Sequence, residues 1–403
     1  MTAVVCGSFA YDNILNFEGK FEDHLIDSEL NNINISFLCT DMRREFGGCA
    51  GNIIYNLSGI GADAIAIGTM GNDSNPYLDW MKKNKISTDY IKIIEDNYTA
   101  QAYITTDKEA NQITTFHPGA MQFAHEIKIP TDQSISLGLI SPDGRDGMIQ
   151  HTKQLIEMNV PYIFDPGQGM PMFNKDELNF FTEHASWIVM NDYEFKMYSE
   201  ITGFSTSDIV SKNKTLVITN GDKGSKILTF NKDLNIPTPK IHDPKDPTGC
   251  GDAYRAGIIY GINNKMTLEK IGELSSELGA LKVQSFGTQN HIFGDKIKKL
   301  LKEINLTTII VTHDSYEAFY MADYCGILLS QTMKQFDTPY NIYHYPNSIE
   351  VVNFLNRGIL VDAKVLDDNS VEHKCLGVIK GNFVKKYKKG TAVKLLVQPD
   401  DLE

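Results

Sequence analysis

The most informative segment of this chain is Asp246-Pro247-Thr248-Gly249-Cys250-Gly251-Asp252. Two glycines with small neighbours let the backbone turn tightly, so that successive N–H groups converge at the N-terminus of a following helix. Such a turn can form an anion hole, which the helix dipole reinforces. The residues that would form it are Gly249, Cys250 and Gly251. Asp252 can accept the proton of an attacking hydroxyl group, but an Asp at an ordinary helix N-terminus explains the local pattern equally well.

Working outward from this segment, short apolar runs that end at polar or glycine-containing loops alternate with helical patterns over most of residues 1–294. This rhythm is typical of βαβ units and predicts an α/β fold with a doubly wound, mostly parallel sheet. Ligands of such sheets bind beyond the carboxyl ends of the strands. The predicted strands are Thr2–Cys6, 64–68, 137–140, Tyr162–Phe164, 187–190 and 216–219, and a helix is predicted to start near Asn52.

A second set of apolar patterns alternates with period two and lies outside this rhythm. It comprises residues 33–37, 100–105 and 112–116. Alternation of this kind predicts half-buried strands. We expect these strands to form a small β lid over the substrate.

The charge of the chain is unevenly distributed. Residues 295–403 hold 14 basic and 14 acidic side chains, so residues 1–294 carry the whole net charge of −13. Nucleic acids are bound through basic patches, and this acidic segment argues against such a partner. A phosphate site here has to rely on backbone amides, a few cations and a metal ion.

Cysteine usage and hydropathy favour a soluble cytoplasmic protein. The six cysteines form no CxxC pair, a pattern that fits reduced thiols better than disulfides or zinc. The chain runs from Met1 directly into an apolar segment without a basic signal region. No stretch reaches the ~18–20 apolar residues that span a bilayer, so we expect no membrane insertion.

The 246–252 segment resembles the D-[TP]-x-G-[AC]-G-D signature of ribokinase-like (PfkB-type) kinases. That resemblance implies that Asp252 is the catalytic base and that the glycine turn is the anion hole. Cys250 stands where the family often has Ala, a replacement of similar size. The resemblance further implies ATP and Mg²⁺ as cofactors.

A second segment, Phe46-Gly47-Gly48-Cys49-Ala50-Gly51-Asn52, is similar to the N-terminal GG-x-x-x-N segment of the same family. The resemblance implies that Gly47 and Gly48 let the sugar approach the backbone and that Asn52 donates to its hydroxyl groups. Asp12 matches the early Asp that grips vicinal hydroxyls. By itself, Asp12 is better explained as a turn or N-cap residue.

Two weaker matches concern the nucleotide. Asn191-Asp192-Tyr193-Glu194 resembles the N-x-x-E motif, which implies that Asn191 and Glu194 help hold Mg²⁺ through water. Alone, this tetrapeptide would be an ordinary helix start. The run from Thr219 to Gly224 resembles the T-x-G-x-x-G loop near ATP, which assigns ATP binding to Thr219, Gly221 and Gly224, although such loops are also common turns.

Residues 1–293 together resemble the bacterial adenosine-kinase-like members of the family. That resemblance implies phosphorylation of adenosine, or a similar nucleoside, at its 5′-hydroxyl to give AMP in purine salvage. Gln101, Phe116 and His117 would lie on or near the lid and the nucleoside pocket, although Phe116 can also be a core aromatic. The alternatives are a kinase for another nucleoside or for a sugar.

Residues 295–403 are predicted to be a separate domain. The strand-like run 307–312 with His313 resembles the switch-histidine segment of ABC transporter ATPases, and 361–365 and Ala392–Val397 resemble strands of their appended β domain. The chain has no GxxxxGK[ST] and no signature motif, so this fragment cannot hydrolyse ATP unaided. The alternative in which the protein is not an enzyme is a nucleoside-binding sensor that contacts a transporter through this tail.

Overall fold

The computed structural model describes residues 2–24, 35–109, 111–293, 297, 311–312, 315–356, 358–381 and 386–398. The chain divides into two compact units, 1–309 and 310–403. The division lies beyond the predicted boundary at residue 294. Ile297 is 1 % exposed and belongs to the hydrophobic core of the first unit, which therefore continues past that boundary.

The first unit contains thirteen strands and eight α-helices among its described residues. The strands are β1 (Thr2–Cys6), β2 (Ala10–Phe17), β3 (Cys39–Gly47), β4 (Ala64–Gly71), β5 (Ile91–Ile94), β6 (Ala100–Thr106), β7 (Gln112–His117), β8 (Ile135–Ile140), β9 (Tyr162–Phe164), β10 (Trp187–Asn191), β11 (Thr215–Thr219), β12 (Ser225–Thr229) and β13 (Lys232–Ile236). The helices are α1 (Cys49–Gly59), α2 (Asn75–Lys83), α3 (Arg145–Glu157), α4 (Lys175–His184), α5 (Asp192–Thr202), α6 (Thr206–Ser211), α7 (Cys250–Asn263) and α8 (Leu268–Lys282).

Nine of these strands form one sheet in the order β13-β12-β11-β10-β9-β8-β1-β4-β5. The strands from β11 to β5 are all parallel, and β12 and β13 add an antiparallel hairpin at one edge. The six strands predicted from apolar runs are all present, two with the predicted bounds and four slightly longer. The predicted mostly parallel α/β sheet is confirmed.

Helices cover both faces of this sheet because alternate residues of its strands are buried on opposite sides. Val5 packs into a cluster with α1, α2, α7 and α8. Its neighbours Val4 and Cys6 pack into a second cluster with α3, α4, α5 and α6. All three side chains are at most 1 % exposed, so the strand is buried on both faces, as its continuous apolar run indicates.

The lid is a four-stranded sheet in the order β3-β2-β6-β7, in which β2 and β6 are parallel and the other pairs are antiparallel. The predicted strand at 33–37 is wrong within the described residues, since 35–38 lie outside any strand and β3 begins only at Cys39. The Phe37 ring packs instead against Phe17 and Phe21, with ring centroids 5.0 and 4.9 Å away. This aromatic cluster explains why the apolar pattern does not continue the ladder.

Among its described residues, the second unit has two small antiparallel sheets. Its elements are α9 (Ser315–Met321), β14 (Cys325–Leu329), β15 (Thr332–Asp337), α10 (Pro339–His344), α11 (Ile349–Leu355), β16 (Ile359–Asp367), β17 (Ser370–His373), β18 (Gly377–Lys380) and β19 (Ala392–Val397). The predicted strands at 361–365 and Ala392–Val397 are confirmed as β16 and β19. His313 and most of 307–312 lie outside the described residues. Across the described part of the chain, no helix is long and apolar enough to cross a membrane.

Candidate active site

Polar residues gather where the parallel strands of the main sheet end. Ser141 follows β8, Asp165 follows β9, Asn191 closes β10 and Thr219 closes β11. Carboxyl ends of parallel strands share one edge of a sheet, and that edge is where ligands of such folds bind. The start of α7 meets the same edge, because Arg255 in its second turn forms an ion pair with Asp165.

Gly249 is the N-cap residue of α7 and has a φ of +79°, a left-handed conformation that favours glycine. A Cβ atom there would lie 3.0 Å from the Thr288 side chain. The predicted helix opening is therefore confirmed. The Cys250 N–H group donates to the Pro247 carbonyl at 3.1 Å and closes the turn, while Gly251 follows in the first turn of the helix, where N–H groups have no intrahelical partner.

The Cys250 side chain does not bring negative charge to this turn. Burial raises the pKa of its thiol to about 11, so the thiol stays protonated at neutral pH. A protonated thiol is compatible with an anion bound at the start of α7. Its size is close to that of the alanine common in related kinases.

Asp252 is partly buried in the first turn of α7, and its Oδ2 accepts a hydrogen bond of 2.8 Å from Asn52 Nδ2. Burial raises the pKa of this carboxyl group to about 7, against the opposing effects of the Asn52 hydrogen bond and the Arg255 charge. A general base works best when its pKa lies near the operating pH. A carboxyl group with this pKa can take up or release a proton near neutral pH, and the role of Asp252 as the base stays a prediction.

Asn52 is itself held in place by a buried amide that the sequence analysis did not single out. Asn52 Oδ1 accepts from Gln289 Nε2 at 3.0 Å, and Gln289 Oε1 accepts from Trp80 Nε1 at 3.0 Å. This arrangement fixes the Asn52 amide so that Nδ2 faces Asp252. The structure therefore shows Asn52 beside the predicted base, and its role toward a sugar hydroxyl remains a prediction.

The two glycines at the end of β3 leave room for Asp12. A Cβ atom on Gly47 would lie 2.4 Å from Asp12 Oδ2. Gly48 has a φ of +86°, and a Cβ there would lie 2.5 Å from the Ser8 carbonyl oxygen. Burial, together with the charges of Asp246 and Glu45, raises the pKa of Asp12 to about 6. The charge interactions of Asp12 with Asp246 and Asp252 place it on the side of the lid that faces the 246–252 loop.

The strand pairing shows on which face of the lid each of the other predicted lid residues lies. Asp12 pairs with Ala102, and Ala102 pairs with Phe116, so Phe116 shares the face of Asp12 and is 50 % exposed there. Gln101 pairs with Tyr11 and lies on the opposite face, as does its partner His117.

The structure places Gln101 on the lid face opposite Asp12, and its contribution to the nucleoside pocket stays a prediction. Its Nε2 donates to Asp73 Oδ2 at 3.2 Å, and its Oε1 accepts from the Tyr103 hydroxyl at 2.7 Å. Both ends of the amide are engaged in partly buried hydrogen bonds on the face opposite Asp12. An apolar/polar alternation defines two faces of a strand, but only the pairing register shows which face looks at the site.

A buried ion pair lies behind Asp252 and was also missed by the sequence analysis. Arg255 donates through Nε and Nη2 to the two carboxylate oxygens of Asp165, at 3.0 Å each, and its Nη2 is 3.9 Å from Glu194 Oε2. Arg255 and Asp165 are 6 % and 2 % exposed. The signal available in the sequence was an arginine within an otherwise apolar helix, seven residues after Thr248.

Asn191 and Glu194 form the capping box of α5. Asn191 Oδ1 accepts from the Glu194 N–H group and Glu194 Oε2 accepts from the Asn191 N–H group, both at 2.7 Å. Burial raises the pKa of the Glu194 carboxyl group. Across the described ranges, no three His, Cys, Asp or Glu side chains are grouped so that they could hold a metal ion.

The predicted ATP loop lies next to this cap, because Thr219 pairs with Asn191 across β10 and β11. Gly221 and Gly224 have φ values of +52° and +92°. A Cβ on Gly224 would lie 2.2 Å from the Ile236 carbonyl oxygen, so glycine is required there. The structure thus places the predicted site residues along one edge of the sheet and the adjoining lid, except Gln101 and His117, which lie on the other face of the lid.

The larger part of the chain is similar to proteins that are already known. The sequence pattern of pfkB family carbohydrate kinases matches residues 20–293. The nucleoside kinase of Methanocaldococcus jannaschii is 30 % identical over 307 residues, which are 75 % of this chain and 98 % of that protein. The structure of Burkholderia thailandensis nucleoside kinase in complex with inosine is 43 % identical with a TM-score of 0.69, over 75 % of this chain and 98 % of that one.

The chain has a second similarity, to a transport ATP-binding protein, which covers a shorter stretch. A spermidine/putrescine import ATP-binding protein of Mycoplasmopsis synoviae is 38 % identical over 76 residues, which are 19 % of this chain and 17 % of that protein. It covers too little of that protein to assign its activity here. The sequence pattern, the fold and the full-length relatives agree on the larger part, and the chain belongs to the pfkB family of carbohydrate kinases.

Proposed function

We propose that this protein transfers the γ-phosphoryl group of ATP to the 5′-hydroxyl of a purine nucleoside, with adenosine as the substrate that gives AMP. The observation that carries the proposal is the Asp252 carboxylate, held by Asn52 at 2.8 Å and raised in pKa to about 7 at the start of α7. The structure of the Burkholderia relative with inosine supports a nucleoside acceptor. That of the same relative with ADP-inosine supports a nucleotide phosphate donor.

The nucleoside would lie between the lid and the main sheet. The Asp12 carboxylate suits the vicinal 2′- and 3′-hydroxyls of ribose, because a charged acceptor can bind two adjacent hydroxyl donors. The exposed Phe116 ring shares that lid face and offers a surface against which a purine can stack. Together they favour a nucleoside over a free sugar, which has no base to stack.

In the reaction, the 5′-oxygen attacks the γ-phosphorus in line while its proton passes to Asp252, and ADP leaves. The first turn of α7 would receive the negative charge that develops on the transferred group. ATP would lie along Thr219, Gly221 and Gly224. Glu194 would hold Mg²⁺ through water with Asn191 beside it, an oxygen donor set that suits this ion, and the ion would neutralise phosphate charge.

The test is a substrate panel with purified protein, ATP and Mg²⁺. The acceptors are adenosine, inosine, guanosine, cytidine, ribose and fructose, and ADP formation is the readout. We expect adenosine to have the highest kcat/KM. A higher value for inosine would move the assignment to another nucleoside, and a free sugar as the best acceptor would overturn the nucleoside assignment.

The same panel tests the sensor alternative. A nucleoside-binding sensor would bind adenosine in calorimetry without forming ADP. The partial similarity to a transport ATPase is the observation that favours this alternative. Turnover above the rate of ATP hydrolysis without acceptor would exclude it.

A further inference from the structure

Lys282, the last residue of α8, is the most deeply buried cationic side chain in the described part of the first unit. Its side chain is 0 % exposed. Lysine is almost never fully buried unless its ammonium group is paired. The Lys282 ammonium donates to the Asp246 carbonyl oxygen at 2.6 Å and to the Ser285 carbonyl oxygen at 3.3 Å, and lies 3.9 Å from Asp246 Oδ1.

The residue that Lys282 holds is the first of the 246–252 loop, and it organises that loop. Asp246 Oδ1 accepts from the Thr248 N–H group at 2.9 Å, and Asp246 Oδ2 accepts from the Gly287 N–H group at 3.0 Å. The backbone of Asp246 also donates to the Val283 carbonyl at 3.1 Å. The loop is thus tied through Asp246 to the turn that follows α8, and the ammonium group of Lys282 lies at that junction.

The charge of Lys282 also reaches the start of α7. It lowers the pKa of the Cys250 thiol, against the larger effect of burial and the smaller effects of the Asp246 and Asp252 charges, which raise it. Water cannot screen a charge in a fully buried position as it screens a surface charge. The ammonium group therefore adds fixed positive potential behind the turn in which negative charge develops during phosphoryl transfer.

We propose that Lys282 is a positioning residue for phosphoryl transfer: its ammonium group fixes the 246–252 loop and supplies positive charge behind the anion hole. The proposal rests on the proposed function in one respect, that the start of α7 receives the transferred phosphoryl group. It does not depend on which alcohol accepts that group.

The test compares Lys282→Met with a matched control on the same helix. Methionine keeps most of the apolar stem and removes the charge. Lys270→Met removes an exposed lysine of α8 that pairs with Glu273 at 2.9 Å. The acceptor is whichever alcohol the wild-type enzyme phosphorylates best, so a failure of the nucleoside assignment is seen separately in the wild type.

We expect Lys282→Met to lower kcat at least ~10-fold, less than the ~10²–10³-fold loss on removing a direct oxyanion donor. The dissociation constant of the acceptor, measured by calorimetry without ATP, should stay within ~2-fold of wild type. Lys270→Met should behave as wild type in both measurements. If Lys282 only stabilises the fold, the substitution should lower the melting temperature and should weaken kcat and acceptor binding together.

A second variant, Lys282→Ala, leaves a space lined by the carbonyl oxygens of Asp246 and Ser285. Added ethylammonium chloride should raise its kcat above the value with tetramethylammonium chloride at equal ionic strength. Wild-type-like kcat in Lys282→Met, or no difference between the two salts in Lys282→Ala, would overturn the proposal. So would failure of both variants to fold, because Lys282 would then serve folding and not the site.

Discussion

The Asp252 carboxyl group is subject to two opposing effects, burial, which favours its protonated form, and the Asn52 hydrogen bond, which favours its charged form. If Asp252 is the base, Asp252→Asn should retain acceptor binding while kcat falls at least ~10²-fold, the lower range for general base catalysis. The measurements are ADP formation and calorimetric binding of the nucleoside. Near-normal turnover in this variant would remove Asp252 from the mechanism.

A pH profile tests the same residue without removing it. The base must be deprotonated, so kcat/KM should fall as the pH drops below about 7, the pKa of Asp252. Asn52→Ala removes a hydrogen bond that stabilises the charged form of Asp252, so the pKa of Asp252 rises. The fall of kcat/KM at low pH (the acidic limb of the profile) should therefore move to higher pH. The control is Asn264→Ala, an exposed amide at the end of α7, which should leave the limb in place. A limb that stays unchanged in Asn52→Ala contradicts the coupling.

Asp12 is the residue at which nucleoside hydroxyls can be tested directly. Hydrogen bonds to a charged acceptor contribute ~1.5–3 kcal/mol each, so Asp12→Asn should raise the KM for adenosine at least ~10-fold. With 2′,3′-dideoxyadenosine, wild type and variant should become similarly poor, because the groups that Asp12 binds are gone. Asp41→Asn, at the far end of the same lid strand pair, is the control. A variant that discriminates against the dideoxynucleoside as strongly as wild type would place the diol elsewhere.

At the scale of elements, β9 and α7 are joined by a buried ion pair, in which Arg255 of α7 donates two hydrogen bonds to Asp165, the residue after β9. Removing one partner of a buried pair leaves an uncompensated charge and destabilises by ~3–5 kcal/mol. Arg255→Met should therefore lower Tm on the order of 10 °C. Arg255→Met combined with Asp165→Asn should recover part of that loss, measured by calorimetric unfolding. Strictly additive losses in the double variant would show that the pair is not coupled.

The elements also show what the sequence could predict. Strands such as β1 and β9 are buried on both faces, so their continuous apolar runs marked their bounds well. The lid was harder, because its strands pair across long sequence separations and the register decides which residues face the site. Gln101 and Phe116 look alike as candidates in the sequence, but the β2–β6–β7 pairing sends them to opposite faces. Lys282 resembled an ordinary basic residue in the last turn of a helix, and only the fold shows that it is buried.

For the whole molecule, the described site residues all belong to the first compact unit, residues 1–309. The kinase family pattern ends at residue 293, yet Ile297 is buried in the core of that unit. A truncation at 309 preserves this contact, whereas one at 294 removes it. The second unit has small hydrophobic clusters of its own, around Ile342 and Val365.

We therefore expect a 1–309 variant to retain kcat and KM within a few-fold of the full chain, because the described site residues all belong to the first unit. A 1–294 variant should have the same kcat but a lower Tm, since the core loses the Ile297 side chain, and burying such a side chain contributes ~1.5–3 kcal/mol. ADP formation with the best acceptor and thermal unfolding are the measurements. A 1–309 protein that folds but no longer phosphorylates its acceptor would show that residues 310–403 complete the active site, and would give that segment a role in catalysis.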